Sequence, residues 1–157
     1  LDGSEGFFPL SENFHENGIL KKTTAPTYLD SNIEIEIKTK TKNLAQILNF
    51  YGVLAIELFE LLDGSIVFNE IAPRPHNSFH WTLNGCNISQ FDILVRTICG
   101  LPVKDVECNG KWEMTNLIGQ DVNDMSIYED QNYILHIYGK KNVKPGRKMG
   151  HFNKNIY

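Results

Sequence analysis

The sequence predicts an α+β fold: an antiparallel sheet with packed helices, followed by a small β-rich C-terminal region. Three observations carry this. Residues 52–80 hold two apolar runs flanking Asp63-Gly64, a dipeptide that strongly marks a β-hairpin. Residues 33–51 and 88–99 place apolar side chains at helical spacing. The last third breaks into short strand-like runs separated by turn residues. The domain division expected from this is 1–100 and 101–157, the second part incomplete.

Taken in order, residues 1–24 hold the turn signals Asp2-Gly3 and Asn17-Gly18 around short apolar runs. Phe7-Phe8-Pro9-Leu10 and Ile19 to Thr23 read as two strands, with Ser11 to Asn17 between them. His15 then falls in a surface loop. In residues 33–51, Ile33, Ile35 and Ile37 alternate with charges, as in a strand. Ile33, Ile37, Leu44, Ile47, Leu48 and Tyr51 also share one helical face, and helix is the reading adopted. Ser31 or Asn32 would cap it and Gly52 would end it. The Ile-Glu-Ile-Glu-Ile run has poor helix propensity, so a frayed start is expected.

The hairpin carries the chemistry. With a type I′ turn centred on Asp63-Gly64, Leu62 faces Ser65 and Glu57 lies directly opposite Glu70. Opposed side chains have Cβ atoms roughly 4.5–5.5 Å apart, and like charges there are destabilising. A cation or a shared proton would relieve them, and a hard divalent ion such as Mg2+ bridging to phosphates is one answer. Two glutamates on a solvated sheet face are the other reading. The expected same-face neighbours Val53, Ala55, Phe59, Ile66, Phe68 and Ala72 make that face too apolar for free solvation.

Two prolines then stiffen the exit, Ala72-Pro73-Arg74-Pro75-His76-Asn77-Ser78. A rigid loop bearing Arg, His and Asn suits a site, and the Arg fork suits phosphate or carboxylate. The alternative is a turn in which Arg74 contacts local carbonyls. Residues 88–99 form an amphipathic helix, capped by Ser89 with Asp92 and closed by Gly100 and Pro102. Strands are expected at Trp112–Ile118, Tyr133–Tyr138 and Met149–Phe152. Between the last two, residues 140–148 hold five of the fifteen Lys and Arg side chains. That concentration fits an anionic partner such as a phosphate group, or else a solvated loop.

A net charge of −4 argues against nucleic-acid binding by bulk charge. With 41% hydrophobic residues the chain has enough apolar side chains for a core. Cys86, Cys99 and Cys108 show no CxxC spacing and read as reduced thiols of a cytoplasmic protein. No apolar run has membrane-spanning length and no signal peptide is visible.

Several motifs together resemble one family. They are Gly-Val-Leu-Ala-Ile-Glu-Leu-Phe from Gly52, Asn-Glu-Ile-Ala-Pro-Arg-Pro-His-Asn-Ser from Asn69, and Ser89-Gln90-Phe91. Asn-Leu-Ile-Gly from Asn116 and Pro-Gly-Arg-Lys-Met-Gly-His from Pro145 complete the set. These resemble N5-carboxyaminoimidazole ribonucleotide synthases, the ATP-grasp ATPase subunit of phosphoribosylaminoimidazole carboxylase, over nearly the whole chain.

The resemblance implies the second half of an ATP-grasp fold and an ATP-dependent carbon–nitrogen ligase of purine biosynthesis. It implies ATP and Mg2+ as cofactors, aminoimidazole ribonucleotide and bicarbonate as substrates, carboxyphosphate as intermediate and a homodimer. It implies Glu57 and Glu70 as metal ligands and His15, Asn69 and Glu70 at the nucleotide. Arg74, His76 and Asn77 fall at the catalytic centre, and Lys140 and Arg147 at the substrate phosphate.

Phe79 departs from the family, which carries Gly there; a position needing φ > 0 would strain it. The family's N-terminal domain and Gly-rich lid have no counterpart here, and the first residue is Leu1. The expectation is a C-terminal piece that is inactive alone. Two rivals stand beside this reading. One is a formate-dependent glycinamide ribonucleotide transformylase, which shares the Pro-Arg-Pro-His loop. The other is a non-catalytic binding or assembly module.

Overall fold

The computed structural model describes residues 5–157; the Asp2-Gly3 turn signal lies outside them. The chain folds into two antiparallel sheets with helices beside them, the α+β class expected. In chain order the elements begin with β1 (Glu12–Glu16), β2 (Ile19–Ala25), α1 (Ser31–Ile47), β3 (Ala55–Glu60) and β4 (Ile66–Ala72). They continue with α2 (Thr82–Gly85), α3 (Gln90–Ile98), β5 (Trp112–Ile118), α4 (Ser126–Glu129), β6 (Ile134–Ile137) and β7 (Lys148–Asn155). A five-stranded sheet runs β1-β2-β5-β7-β6, and β3-β4 forms a separate hairpin. Strands from both ends of the chain therefore share one sheet.

The first strand lies where a connection was expected, and Phe7 to Leu10 is irregular. Pro9 cannot donate to a ladder. The Asn17-Gly18 turn instead pairs Glu16 with Ile19, and both turn residues have positive φ, 50° and 74°, as a two-residue I′ hairpin requires. The turn imposes β1 on Glu-Asn-Phe-His-Glu, a polar edge strand with no apolar alternation. His15 accordingly sits on a strand rather than in a loop.

Asp30, not Ser31 or Asn32, caps α1: its carboxylate accepts from the Asn32 N–H at 2.9 Å. The helix ends at Ile47, ahead of Gly52, with Asn49 at φ 46°. Its weak Ile-Glu-Ile-Glu start is helical from Ser31 onward. Glu34–Lys38 at 2.6 Å and Glu36–Lys40 at 2.5 Å are i,i+4 pairs in the stabilising orientation.

The hairpin turn differs from the expected one. Leu61 pairs with Ser65 around the three residues Leu62-Asp63-Gly64, and Gly64 takes the left-handed position at φ 80°. The Asp63 carboxylate accepts from the Ser65 N–H and hydroxyl at 2.9 and 2.6 Å, which closes the wider loop. Pairing near the tip is therefore one residue out of the expected register, with Leu58 opposite Phe68 and Phe59 opposite Val67. A β-bulge next to Glu57 absorbs the extra residue and restores Glu57 opposite Glu70. Phe68 and Ile66 thus leave the glutamate face, and Val67 joins it.

Ser89 and Asp92 form the expected capping box on α3, with Ser89 Oγ donating to the Asp92 carboxylate at 2.6 Å. The main core joins Leu20, Ala25, Trp81, Trp112 and Met114, and a smaller one joins Leu117, Ile127 and Phe152. Gly85 is needed for space: a Cβ there would lie 2.8 Å from both tryptophan rings. Cys86 and Cys108 are bonded as a disulfide across an isolated β-bridge, correcting the expectation of three reduced thiols. Their 22-residue separation gave no pairing signal. Cys99 is free and exposed. Among the described residues no helix is long and apolar enough to cross a membrane.

Candidate active site

Glu57 and Glu70 face each other across the restored register, and His76 closes the group. One ligand atom from each of the three lies within 4.8 Å of the others. Glu57 is held from both sheets. The Asn69 amide donates to one carboxylate oxygen at 3.3 Å, and the Asn13 amide from β1 donates to the other at 3.3 Å. Asn69 reaches it because the bulge turns that residue toward Glu57. The Thr23 hydroxyl donates to Asn13 Oδ1 at 2.9 Å and fixes that amide in turn.

His76 caps the 3₁₀ turn Asn77–Phe79: its Nδ1 accepts from the Ser78 N–H at 3.4 Å and pairs with Ser78 Oγ at 2.8 Å. That leaves the ring proton on Nε2, which lies 3.2 Å from Glu70 Oε1 and donates to it. Burial lowers the His76 pKa against the opposing pull of Glu57 and Glu70. His76 is therefore a neutral donor, and its contacts with both glutamates are not ion pairs. Among the described residues neither glutamate pairs with Lys or Arg. Two apposed carboxylates without a permanent cation partner, both hard oxygen donors, fit a divalent ion such as Mg2+.

A cleft of about 730 Å3 opens beside these groups. Its lining includes Glu57, Asn69, Glu70 and His76 together with His15, Lys140 and Lys148. Lys148 is half-buried, and burial lowers its pKa against the pull of Glu57 and Glu70. Lys140 Nζ donates to the Lys148 carbonyl at 2.6 Å and lies 5.2 Å from the centre of the Tyr138 ring. Of the candidates named from sequence, the cleft gathers His15, Glu57, Asn69, Glu70, His76 and Lys140. Arg74, Asn77 and Arg147 stand outside its lining. Arg74 is exposed and donates to the Pro75 carbonyl at 3.0 Å. Asn77 exchanges amide hydrogen bonds with Asn116 at 2.8 and 2.7 Å. Arg147 donates to the Asn142 carbonyl at 2.9 Å. Phe79 has no positive φ and packs on the core, so the departure from Gly brings no strain.

Sequence reasoning missed Lys148 as a separate group, although it lay within the basic run. It also missed a histidine cluster outside the cleft lining. The His151 ring centre lies 5.0 Å from that of His80 and 4.6 Å from that of His136. Tyr138 Oη pairs with His151 Nδ1 at 2.8 Å. Burial pushes His80 down to about 4 and His151 down to about 3. The unfolded chain protonates these rings near 6.5, so it binds more protons than the fold below that pH. Stability is full above 6.5 and falls as pH drops toward the folded values. Urea midpoints should reveal a loss on the order of 2–4 kcal/mol between pH 7 and pH 5. An unchanged midpoint over that range would exclude neutral, buried imidazoles.

An ATP-grasp domain model matches residues 1–91. A phosphoribosylaminoimidazole carboxylase C-terminal domain model matches residues 113–155. The chain therefore belongs to the ATP-grasp family. Within it, the chain is similar to N5-carboxyaminoimidazole ribonucleotide synthases. It is 40% identical to that of Brucella melitensis over 153 residues, 97% of this chain and 42% of that protein. It is 41% identical to that of Escherichia coli over 153 residues, 98% of this chain and 42% of that protein. The ADP complex of the Staphylococcus aureus synthetase superposes with TM-score 0.88 at 38% identity, covering 95% of this chain and 41% of that one. The Aspergillus clavatus synthase with ADP and 5-aminoimidazole ribonucleotide gives 0.80 at 34% identity, covering 95% and 42%. The chain spans about two fifths of the length of these relatives.

Proposed function

We propose that the full-length protein carrying this chain is an ATP-dependent carbon–nitrogen ligase of purine biosynthesis. It converts bicarbonate and ATP to carboxyphosphate and ADP, then carboxylates the amine of 5-aminoimidazole ribonucleotide. The products are N5-carboxyaminoimidazole ribonucleotide and phosphate. The observation that carries this reading is the Glu57–Glu70 pair with neutral His76, beside Lys140 and Lys148 in one cleft. Identity of about two fifths to synthases of that name supports the substrate class proposed here. A cytoplasmic homodimer is part of the reading on family resemblance alone.

Glu57 and Glu70 would hold Mg2+, which when bound neutralises polyphosphate charge and orients transfer. The chain's own residues prepare that site. Asn13 and Asn69 orient Glu57, and the His76 Nε2–H orients Glu70. His15, Asn69 and Glu70 serve the nucleotide. Lys148 brings a half-buried ammonium toward the carboxylates, where exclusion of water strengthens its hold on an anion. Arg74, on its proline-stiffened loop, keeps donors free to stabilise charge developing on the transferred group. Asn77, tied to Asn116, sets the course of that loop. Lys140 in the cleft, and Arg147 between the cleft residues Gly146 and Lys148, would take the ribonucleotide phosphate.

The test is ADP release by the full-length protein with 13C-bicarbonate and 5-aminoimidazole ribonucleotide. The label should enter the product, and release should require both substrates. Turnover with formate and glycinamide ribonucleotide instead would transfer the reading to the transformylase. No release with either set would leave a binding module. Residues 1–157 alone should release no ADP above background, and turnover by that piece would overturn its expected inactivity.

A further inference from the structure

Gln90 begins α3 and is 1% exposed, a buried polar side chain for which the reaction above has no use. It is the middle residue of the Ser-Gln-Phe motif. Its Oε1 accepts from the His76 N–H at 2.8 Å, and its Nε2 donates to the His76 carbonyl at 2.9 Å. The same Nε2 lies 2.9 Å from His80 Nδ1. One N–H to accept from and two lone pairs to donate to permit a single orientation of the amide. The backbone N–H of Gln90 donates to Thr82 Oγ1 at 3.2 Å, and Thr82 donates to the Phe79 carbonyl at 2.7 Å. The side chain therefore grips both main-chain polar groups of His76 from a helix anchored on the same loop.

We infer that Gln90 is a positioning residue: it clamps the His76 main chain so that the imidazole Nε2–H stays aimed at Glu70. The inference rests on the reading of Glu57 and Glu70 as the metal pair. The proline before His76 leaves the loop no regular ladder to fix this residue, and Gln90 supplies both partners a neighbouring strand would. Partners bonded directly to a metal ligand typically change metal affinity 10–100-fold when removed, and Gln90, acting through His76, is expected at the low end.

The test uses Gln90→Met and Gln90→Glu in the full-length protein, with Mn2+ as the probe. Gln90→Met keeps the length of the side chain and removes every side-chain hydrogen bond. Gln90→Glu keeps the shape and the acceptor. When ionised it cannot donate to the His76 carbonyl. The dissociation constant of Mn2+ in the presence of ADP, read by electron paramagnetic resonance, should rise about tenfold or more in both. ADP affinity without metal should stay within about twofold, a split that general loosening of the fold would not produce.

Hydrogen exchange of the peptide covering 74–80 should show a protected His76 amide in the wild type, a measurement that needs no variant to fold. Mn2+ affinity within about twofold of wild type in either folded variant would overturn the clamp, as would an unprotected His76 amide. Glu70→Gln serves as control. If it weakens Mn2+ while the Gln90 variants do not, the clamp alone fails. If it does not weaken Mn2+, the metal reading fails and the clamp with it.

Discussion

Glu70→Gln in the full-length protein is expected to lower kcat/KM for ADP release about 10³-fold, or roughly 4 kcal/mol of transition-state stabilisation. The Glu70 side chain is 51% exposed, so removing its charge leaves no buried orphan. The amide oxygen of Gln can still accept from His76 Nε2–H. Repulsion across the Glu57–Glu70 pair disappears, so folding stability should hold or rise by a few tenths of a kcal/mol. The loss thus falls on function alone, and equal decreases in kcat and kcat/KM would place it in the transition state. Glu57→Gln should lose comparable activity with an added structural cost, because the Asn13 and Asn69 amides both donate to that carboxylate. A Glu70→Gln enzyme within about threefold of wild type would remove the metal pair from the mechanism.

The Glu57–Glu70 pairing was legible for a reason different from the one first available. A two-residue Asp63-Gly64 turn puts the two glutamates opposite each other by simple counting. The observed three-residue loop shifts the count by one, and the bulge at Asn69 shifts it back. Alternation alone cannot detect two compensating irregularities, and it misassigned Phe68 and Ile66 in between. The bulge also brings Asn69 onto the carboxylate, a contact no regular strand would give. The capping box of α3 and the extent of β5 were readable because both rest on local chemistry. The strand β1 was not, because its pairing comes from the neighbouring turn and strand rather than from its own side chains. Lys148, Gln90 and the histidine cluster were silent for a related reason: their roles arise from separations of ten or more residues. Gln90, Lys148 and His151 fall inside recognisable motifs, but a motif does not state which distant residue each side chain meets. For Arg74, Asn77 and Arg147 the motif identifies the loop, while the direction of each side chain depends on its hydrogen bond to Pro75, Asn116 or Asn142.

Trp81→Ala should be the most destabilising single truncation in the core, at about 3–5 kcal/mol. Trp81 is 0% exposed and packs with Leu20, Ala25, Trp112 and Met114, and Gly85 is kept bare beside its ring. Backbone here cannot collapse into the void, because the His76–His80 loop on one side is tied to Gln90 and Asn116. Trp81→Phe should behave differently. The indole Nε1 is buried without a hydrogen-bond partner, and an orphaned donor costs about 1–3 kcal/mol. Phe removes that donor while filling most of the space, so the two terms oppose and the net loss should stay below about 1.5 kcal/mol. Urea melts followed by far-UV circular dichroism separate the two variants without relying on tryptophan emission. A loss well above about 1.5 kcal/mol for Phe would mean that the indole nitrogen finds a partner in solution. A loss under about 1 kcal/mol for Ala would mean the core does not close around this ring. Because the same ring supports the loop that carries His76, the Ala variant should lose catalysis in parallel with its folded fraction, whereas Phe should retain it.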